Sequence, residues 1–340
     1  MPTARQELIL RKVVEVYLES GQPVGSKTLS TDPDLGCRPS TIRNELAQLE
    51  EVGLLVHPHT SAGRVPTDAA LRFFVDGLLA TRGSHPRSEL ELSLASREID
   101  DAMRATTEAL SQVSHLLAIV TAPPIETAEI RHIEVLSLQP QVLMVVIITS
   151  TGGVSKRIFT FEQPVDPGLA AWAAAYLNDQ LTGMDLGART LQRRLNDPSL
   201  QPPERAFLDS LMPAFTELAA TAQDSLYVDG AARLIAEHRL DDLDQINELM
   251  TALERRRDLL AVLGRALTER DVLVRIGTEN DTPQLQSMAL VAAAYGLPAR
   301  KLGTVSLMGP TRMDYAEAIG FVREAAHQLS RYIETVYDDA

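Results

Sequence analysis

Cysteine is almost absent from this sequence, since Cys37 is the single one among 340 residues. One cysteine excludes an intrachain disulfide and any zinc site that is built on several cysteines. The seven histidines are scattered, and no HExxH, GxSxG, Walker A or CxxC motif occurs. We therefore expect neither an enzyme nor a protein with a bound metal or cofactor. The pair His57 and His59 is interpreted as loop residues rather than metal ligands.

Long hydrophobic runs are absent as well. The most apolar stretch, Val142 to Ile148, has seven residues, whereas about 20 are needed to span a bilayer. The N-terminus opens directly into an amphipathic helical pattern, without the charged and then apolar segments of a signal peptide. These observations predict a cytoplasmic protein that makes no membrane contact.

The chain has no overall excess of basic residues, because 32 Lys and Arg stand against 46 Asp and Glu, for a formal net charge of -14. The charge is uneven. Residues 1–85 hold 9 basic and 10 acidic side chains, and the remainder hold 23 and 36. An acidic remainder repels nucleic acid and leaves the nearly neutral N-terminal segment as the part that DNA could contact. The length predicts two or three domains.

The first 82 residues begin with a helical pattern. Apolar residues at helical spacing predict a first helix over residues 4–19. Ser26 is predicted to cap a short second helix that ends at Ser30, because serine side chains accept hydrogen bonds at helix N-termini. Proline is favourable at the first position of a helix, so Pro39 is predicted to open a third helix that runs to about Val52.

A β-hairpin is predicted to follow the third helix. Its short strands span residues 54–57 and 65–67, its tip spans residues 61–64, and Asp68 is predicted to cap a further helix that ends near Leu79. This order is typical of a winged helix-turn-helix, in which one helix enters the major groove and the hairpin contacts the backbone or the minor groove. The pattern therefore predicts double-stranded DNA as a partner. The alternative is an ordinary helical hairpin with a solvated polar face.

The third helix carries the residues that would contact bases. Ile42, Leu46 and Leu49 share one face and are predicted to pack inward. On the rest of the helix, Arg43 can bridge guanine, and Asn44 or Gln48 can bridge adenine. Residues at the start of the second helix are placed to contact phosphates, and an arginine of the hairpin is placed to enter the narrow minor groove. The predicted DNA contacts are Ser26, Lys27, Ser40, Thr41, Arg43, Asn44, Ala47, Gln48, Ser61 and Arg64.

The remainder of the chain is predicted to be an α+β domain with a helical insertion. A linker spans residues 83–88, where glycine and proline flank polar residues. The predicted elements are a long helix from about Ser88 to Ser114, strands over 130–138, 142–149 and 154–161, helices over 164–225 and 244–267, strands over 272–276 and 301–308, and a closing helix over 314–337. The predicted fold class is therefore α+β and multidomain.

Two separated sets of motifs resemble one family. Val24 to Leu29 (VGSKTL), Thr41 to Asn44 (TIRN) and His59 to Arg64 (HTSAGR) are similar to the N-terminal motifs of the HrcA heat-inducible transcription repressors. Ile276 to Asn280 (IGTEN) and Gly309 to Tyr315 (GPTRMDY) are similar to its C-terminal motifs. The resemblance runs from end to end. It departs at Arg38, where the family usually has Ser or Thr, and at Ala231 to Arg233, where the family usually has a segment containing Asn.

The resemblance implies a division into domains and a set of partners. The domains are a winged-helix domain (1–82), a GAF-like domain in two pieces (89–163 and 226–340) and an inserted dimerisation domain (164–225). It also implies binding to the CIRCE inverted repeat ahead of chaperone operons, loss of repression on heat stress, and support of the repressor by the GroEL chaperonin. An inverted repeat calls for a two-fold symmetric protein.

Two surfaces are candidates for the homodimer. One is in the insertion, with Trp172, Tyr176, Leu177 and Leu181; the other is the apolar stripe of the closing helix, for which packing on the sheet is the favoured alternative. The segment Gly309 to Tyr315 could be a ligand site, but it is better interpreted as a connection between a strand and a helix. The alternative function is accordingly a metabolite-responsive repressor with a small-molecule site in the GAF-like domain.

Overall fold

The protein is a mixed α+β structure of helices and antiparallel sheets. The computed structural model describes residues 2–58, 63–81, 90, 92, 99–121, 129–149, 154–184, 200–222, 226–236, 243–269, 271–298 and 300–338. No helix in these ranges is both long enough and apolar enough to cross a membrane. The predicted linker over 83–88 and the predicted turn over 151–153 lie outside the described residues.

The described residues between 2 and 81 form a segment that we call the head. It consists of α1 (Ala4–Ser20), α2 (Ser26–Leu29), α3 (Pro39–Glu51), the antiparallel pair β1 (Leu55–Val56) and β2 (Val65–Pro66), and α4 (Asp68–Ala80). A capping box of Thr3 and Gln6 starts α1, and Gly21 ends it in the left-handed conformation at φ 66°. The interior of the head is apolar, with Ile9, Val13 and Leu55 fully buried.

Two of the predicted helix caps are wrong by one residue. The N-cap of α2 is Gly25 rather than Ser26, because the Gly25 carbonyl already accepts the helical bond from the Leu29 amide, at 3.2 Å. The N-cap of α4 is Thr67 rather than Asp68. Its backbone is extended and its hydroxyl accepts from the Ala70 amide. Asp68 is therefore the first residue of the helix, and its carboxylate is free to bind elsewhere.

A second unit, which we call the body, is built on a five-stranded antiparallel sheet in the order β7-β3-β10-β9-β8. Its strands are β3 (Leu117–Thr121), β7 (Leu226–Asp229), β8 (Val272–Ile276), β9 (Met288–Leu297) and β10 (Arg300–Pro310). Its helices are α5 (Ile99–Ser114), α8 (Ala231–Ala236), α9 (Leu243–Glu254), α10 (Arg256–Ala266) and α11 (Tyr315–Asp338). Successive residues of β9 and β10 are buried, so both faces of this sheet are covered. The closing helix α11 packs on the sheet, which is the alternative favoured for its apolar stripe, and also on α5.

The third unit, which we call the insert, has its own hydrophobic core. It contains β4 (Ile130–Gln139), β5 (Val142–Thr149), β6 (Val154–Thr160), α6 (Pro167–Leu181) and α7 (Pro202–Ala222). The strands form a separate antiparallel sheet, and one face of it packs on both helices. The predicted domain boundary at residue 164 stays a prediction, and the packing favours a boundary before β4 instead. Strands over 130–160 belong with the helices that follow them, because they share one core cluster that contains no residue of the body.

Several body elements differ from the prediction. Strands β3, β7 and β9 were not predicted, since β9 is rich in alanine and β7 has only four residues. Leu90 and Leu92 are not helical, and α5 is described only from Ile99. The predicted helix over 244–267 is broken at Arg255, which separates α9 from α10.

Candidate nucleic-acid interface

The third helix of the head presents a polar face to solvent. Ile42, Leu46 and Leu49 are 0%, 3% and 1% exposed, so the predicted inward face is confirmed. Burial of these three side chains fixes the rotation of α3 about its axis. The side chains that face outward are Ser40, Arg43, Asn44 and Gln48, all exposed, together with Thr41 and Ala47, which are partly exposed.

The N-terminal end of α3 carries exposed positive charge. Arg38 occupies the N-cap without a side-chain cap hydrogen bond, and Pro39 is the first helical residue, as expected. Lys27 on α2 and Arg43 on α3 are also exposed. None of these three cations forms an ion pair with a residue that the structure describes. Cations without carboxylate partners are suited to phosphate oxygens or to the acceptor edge of guanine.

A hydrogen-bond network fixes Gln48 from the first helix. The Gln6 amide nitrogen donates to the Gln48 side-chain oxygen at 2.6 Å and to the Glu45 carboxylate at 3.0 Å. Gln6 is held in turn by the capping box, since its own oxygen accepts from the Thr3 amide at 2.9 Å. The side-chain oxygen of Gln48 is therefore already bonded, which leaves its NH₂ group as the available donor. No sequence pattern indicated that Gln6 would contact α3.

The predicted minor-groove residue, Arg64, is turned inward. Its guanidinium lies 2.8 Å from a Glu50 carboxylate oxygen and 2.8 Å from His57 Nδ1, and its side chain is only 15% exposed. The backbone of Arg64 pairs with Val24 through two hydrogen bonds of 2.8 Å, so the residue is held against the chain that precedes α2. The groove contact stays a prediction, and the guanidinium would have to leave the carboxylate of Glu50 before it could enter a groove.

The hairpin is also attached closely to the chain before α2. A Cβ atom on Gly63 would lie 2.5 Å from the Val24 carbonyl carbon, so only glycine allows this approach. Ser61 and His59 lie outside the described residues. Because Arg64 only donates, His57 Nδ1 must accept, and a nitrogen used in this way is not free for a metal.

The chain is similar to known proteins over nearly its whole length. The family model described as HrcA protein C terminal domain matches residues 100–319. A heat-inducible transcription repressor HrcA of Parafrankia sp. is 34% identical over 96% of this chain and 97% of its own length. The HrcA repressor of Frankia casuarinae is 36% identical, with the same coverage.

The chain belongs to the HrcA family. A crystal structure of a hypothetical protein shares its fold, with a TM-score of 0.69 and 21% identity over 99% of this chain and 100% of that one.

The residues predicted for dimerisation of this HrcA chain have different environments. Leu177 and Leu181 are 1% and 0% exposed and fill the core of the insert, so they are not available to a second copy. Trp172 and Tyr176 are partly exposed and stack on each other, with 5.3 Å between ring centroids. The strands of the insert bury the α6 face that carries both leucines, which leaves Trp172 and Tyr176 as the predicted residues that a second copy could contact.

The outer face of the insert's sheet was not predicted as a surface. Residues paired across β4, β5 and β6 point to the same side, so Leu136, Met144 and Ile158 form one row across the sheet. Ile158 is 59% exposed and Val154 is 64% exposed. The sheet therefore has one face in its own core and one apolar face in solvent.

The two C-terminal motifs of the HrcA resemblance meet the head. The Arg72 guanidinium on α4 forms an ion pair with Glu279 and donates to the Val274 carbonyl at 2.6 Å. The Asp68 carboxylate accepts from the backbone and hydroxyl of Thr278, both at 2.9 Å. Burial raises the pKa of Glu279, but bonds from Arg72 and the Ile276 amide outweigh it, so this pKa is below its usual range. Gly309 to Tyr315 connects β10 to α11, and Asp314 bonds to the Glu317 amide at 2.9 Å.

Proposed function

We propose that this protein is a transcription repressor of heat-shock genes that binds double-stranded DNA through its head. The observation that carries the proposal is the exposed polar face of α3, flanked by the exposed cations Lys27, Arg38 and Arg43. In this proposal the head is a winged helix, with α3 in the major groove and the β1–β2 hairpin as the wing. The family supports it, because the curated relatives are named heat-inducible transcription repressors.

The proposed contacts divide into two kinds. Arg43, Asn44, Ala47 and Gln48 are placed at base edges, because they project from the outward side of α3. Phosphate contacts are assigned to the residues nearer the helix starts, namely Ser26, Lys27, Ser40 and Thr41. Ser61 stays a predicted contact of the hairpin tip. Arg64 is assigned instead to holding the hairpin against α3 through Glu50.

We further propose that the repressor is a cytoplasmic homodimer that binds a CIRCE-type inverted repeat. The proposed domain limits follow the packing: the insert comprises β4 to α7, and the body around it is the GAF-like domain. A two-fold protein matches a two-fold operator, because each half-site is bound by one head.

The proposed dimer surface is the exposed apolar face of the insert's sheet. Its central row contains Glu134 on β4, Val146 on β5 and Lys156 on β6. If two such faces stack about a two-fold axis parallel to the strands, β4 of one copy lies over β6 of the other. Each Glu134, whose carboxylate also lies 2.9 Å from His132 Nε2 of its own copy, then faces a Lys156 of the second copy. The apolar row of Leu136, Met144 and Ile158 faces the same row of the second copy. This charge complementarity favours a second copy of the chain as the occupant.

Heat is proposed to end repression by loss of the active fold. Arg38 contributes to this, because an N-cap without a side-chain hydrogen bond forgoes about 1 kcal/mol of helix stability. The GroEL chaperonin, a partner implied by the family resemblance, would return protein to the active state until unfolded clients occupy it. Full operator affinity in the presence of chaperonin and excess unfolded client would contradict this part of the proposal.

The test of the function is fluorescence anisotropy on three labelled duplexes at fixed salt: a CIRCE-type inverted repeat, a half-site and a scrambled sequence. We expect tight binding to the repeat and a large loss of affinity for both others. If affinity stays equally weak for all three duplexes after chaperonin is added, the assigned operator is wrong.

A further inference from the structure

The head and the body share one apolar core cluster, and α4 packs on β8 and α11. In addition, α4 makes polar contacts with the body at two positions. Arg72 lies one helical turn beyond Asp68, so both side chains leave the same face of the helix. Arg72 pairs with Glu279, and Asp68 pairs with Thr278, which places a cation and an anion of the head on adjacent residues of the body. Bonds at two points resist sliding of α4 along the body.

A third attachment lies at the C-terminal end of α1. A Cβ atom on Gly21 would overlap the Arg312 guanidinium, so Arg312 of the body lies directly against the helix end. A cation is favourable there because the C-terminal end of a helix carries partial negative charge. Contact at α1 as well as at α4 resists rotation about either helix alone.

The close approach depends on backbone that only glycine adopts readily. Gly277 has φ +51°, and a Cβ atom on it would overlap the Asp68 carboxylate. The Asn280 amide group, 2% exposed, donates to the carbonyls of Gly277, Leu285 and Met288 at 3.0 to 3.2 Å. The loop that carries Thr278 and Glu279 is therefore braced internally before it meets the head.

We propose that five positioning residues hold each head on its body and thereby determine which spacing between half-sites the dimer can bind. They are Asp68, Arg72, Thr278, Glu279 and Arg312. The inference rests on the proposed function, since it requires two heads on one operator. Two linked binding sites gain affinity only when the geometry allows both to engage at once. Heads held rigidly on the bodies have a fixed separation and a fixed angle about the DNA axis, so a change in spacer length prevents the second head from engaging.

The experiment measures affinity for a series of inverted repeats that differ only in spacer length, using the full-length protein. A helical turn is about 10.5 base pairs, so spacers altered by about 2 and 5 base pairs rotate one half-site away from its head. Wild type is expected to bind one spacing roughly 100-fold more tightly than the shifted spacings. Arg72→Met and Glu279→Gln are expected to reduce this preference to about threefold or less while the half-site affinity is unchanged.

Asp76→Asn is the matched control, because it removes an ion pair of Arg72 within α4, with 3.4 Å between Arg72 Nη1 and Asp76 Oδ1. This ion pair does not connect the head to the body. The variant should keep the wild-type spacing profile. If circular dichroism shows that Arg72→Met does not fold, the spacing profile of Glu279→Gln alone tests the inference. This variant replaces the carboxylate by an amide of the same shape. Variants that fold and keep the wild-type preference overturn the inference. A wild type that binds no repeat better than scrambled DNA overturns the proposed function, and the inference with it.

Discussion

Arg64 and Glu50 join the hairpin to the end of α3 through an ion pair, with 2.8 Å between Arg64 Nη2 and Glu50 Oε2. Glu50 is one residue before the helix ends, and Arg64 directly precedes β2. The pair therefore fixes the hairpin relative to the helix that is proposed to contact bases. The guanidinium cannot serve this purpose and enter a DNA groove in the same conformation.

Replacement of Glu50 distinguishes the two roles of Arg64. If the pair holds the hairpin, Glu50→Ala weakens operator binding and lowers the free energy of unfolding by about 1–2 kcal/mol, because a charged hydrogen bond is lost from a half-buried site. Anisotropy and urea unfolding measure both effects. Glu51→Ala is the control, since Glu51 is exposed on the same helix. Tighter DNA binding by Glu50→Ala would mean that the carboxylate merely holds Arg64 away from DNA.

The sequence was sufficient where local rules decide the structure. The inward face of α3 follows from helical spacing, and the start of that helix follows from Pro39. The ion pair of Arg64 was not predicted, because its partner Glu50 is 14 residues away in the sequence and no periodicity links them. The strand β9 was missed because its alanines favour helices in isolation, and only pairing with β8 and β10 on both sides makes it a strand.

The contacts of the head with the body could not be predicted from sequence. Arg72 and Glu279 are 207 residues apart, and each motif by itself is compatible with a ligand site or a simple turn. Tertiary packing brings them together. The same holds for the packing of β4 to β6 on α6 and α7, because the periodicity of a strand or a helix does not show which helices cover a sheet.

The base contacts and the phosphate contacts make different predictions. Arg43→Ala or Asn44→Ala should weaken specific binding by about 1–3 kcal/mol and leave binding to scrambled DNA unchanged. Lys27→Ala should weaken both and make the salt dependence less steep. Arg11→Ala is the control, because this exposed arginine of α1 lies near Gly77 of α4, away from the predicted contacts. An equal loss of affinity for Arg43→Ala, Asn44→Ala and Lys27→Ala would refute the division into base contacts and phosphate contacts.

Gly277 and Gly320 should respond in opposite directions to alanine. Gly277→Ala places a side chain at φ +51° against the Asp68 carboxylate, so a destabilisation of about 1–3 kcal/mol is expected. Gly320 lies within α11, and a Cβ atom there has no neighbour within 4 Å. Gly320→Ala should therefore stabilise the fold by about 0.5–1 kcal/mol. Thermal unfolding of both variants tests this, and a neutral Gly277→Ala would show that the head can move away from the loop.

Acid should weaken the ion pair between Arg72 and Glu279. The pKa of Glu279 is lowered from its usual 4.5, so its contribution to stability is complete above that pH and is lost as the pH falls through the lower value in the folded protein. The difference in unfolding free energy between wild type and Glu279→Gln should thus be constant near neutral pH and shrink below 4.5. In an Arg72→Met background most of the pH dependence of this difference should vanish. A difference that grows in acid would contradict the assignment.

The proposed dimer surface can be tested by charge reversal. Glu134→Lys places a second lysine opposite Lys156 of the other copy, and Lys156→Glu does the reverse, so each variant alone should shift the protein from dimer to monomer. The double variant restores opposite charges and should dimerise again, which a general loss of stability could not produce. Sedimentation equilibrium measures the association constant of all four proteins, and Trp172→Ala tests the alternative surface on α6. A dimer that tolerates both single reversals and dissociates with Trp172→Ala would move the interface from the sheet to that helix.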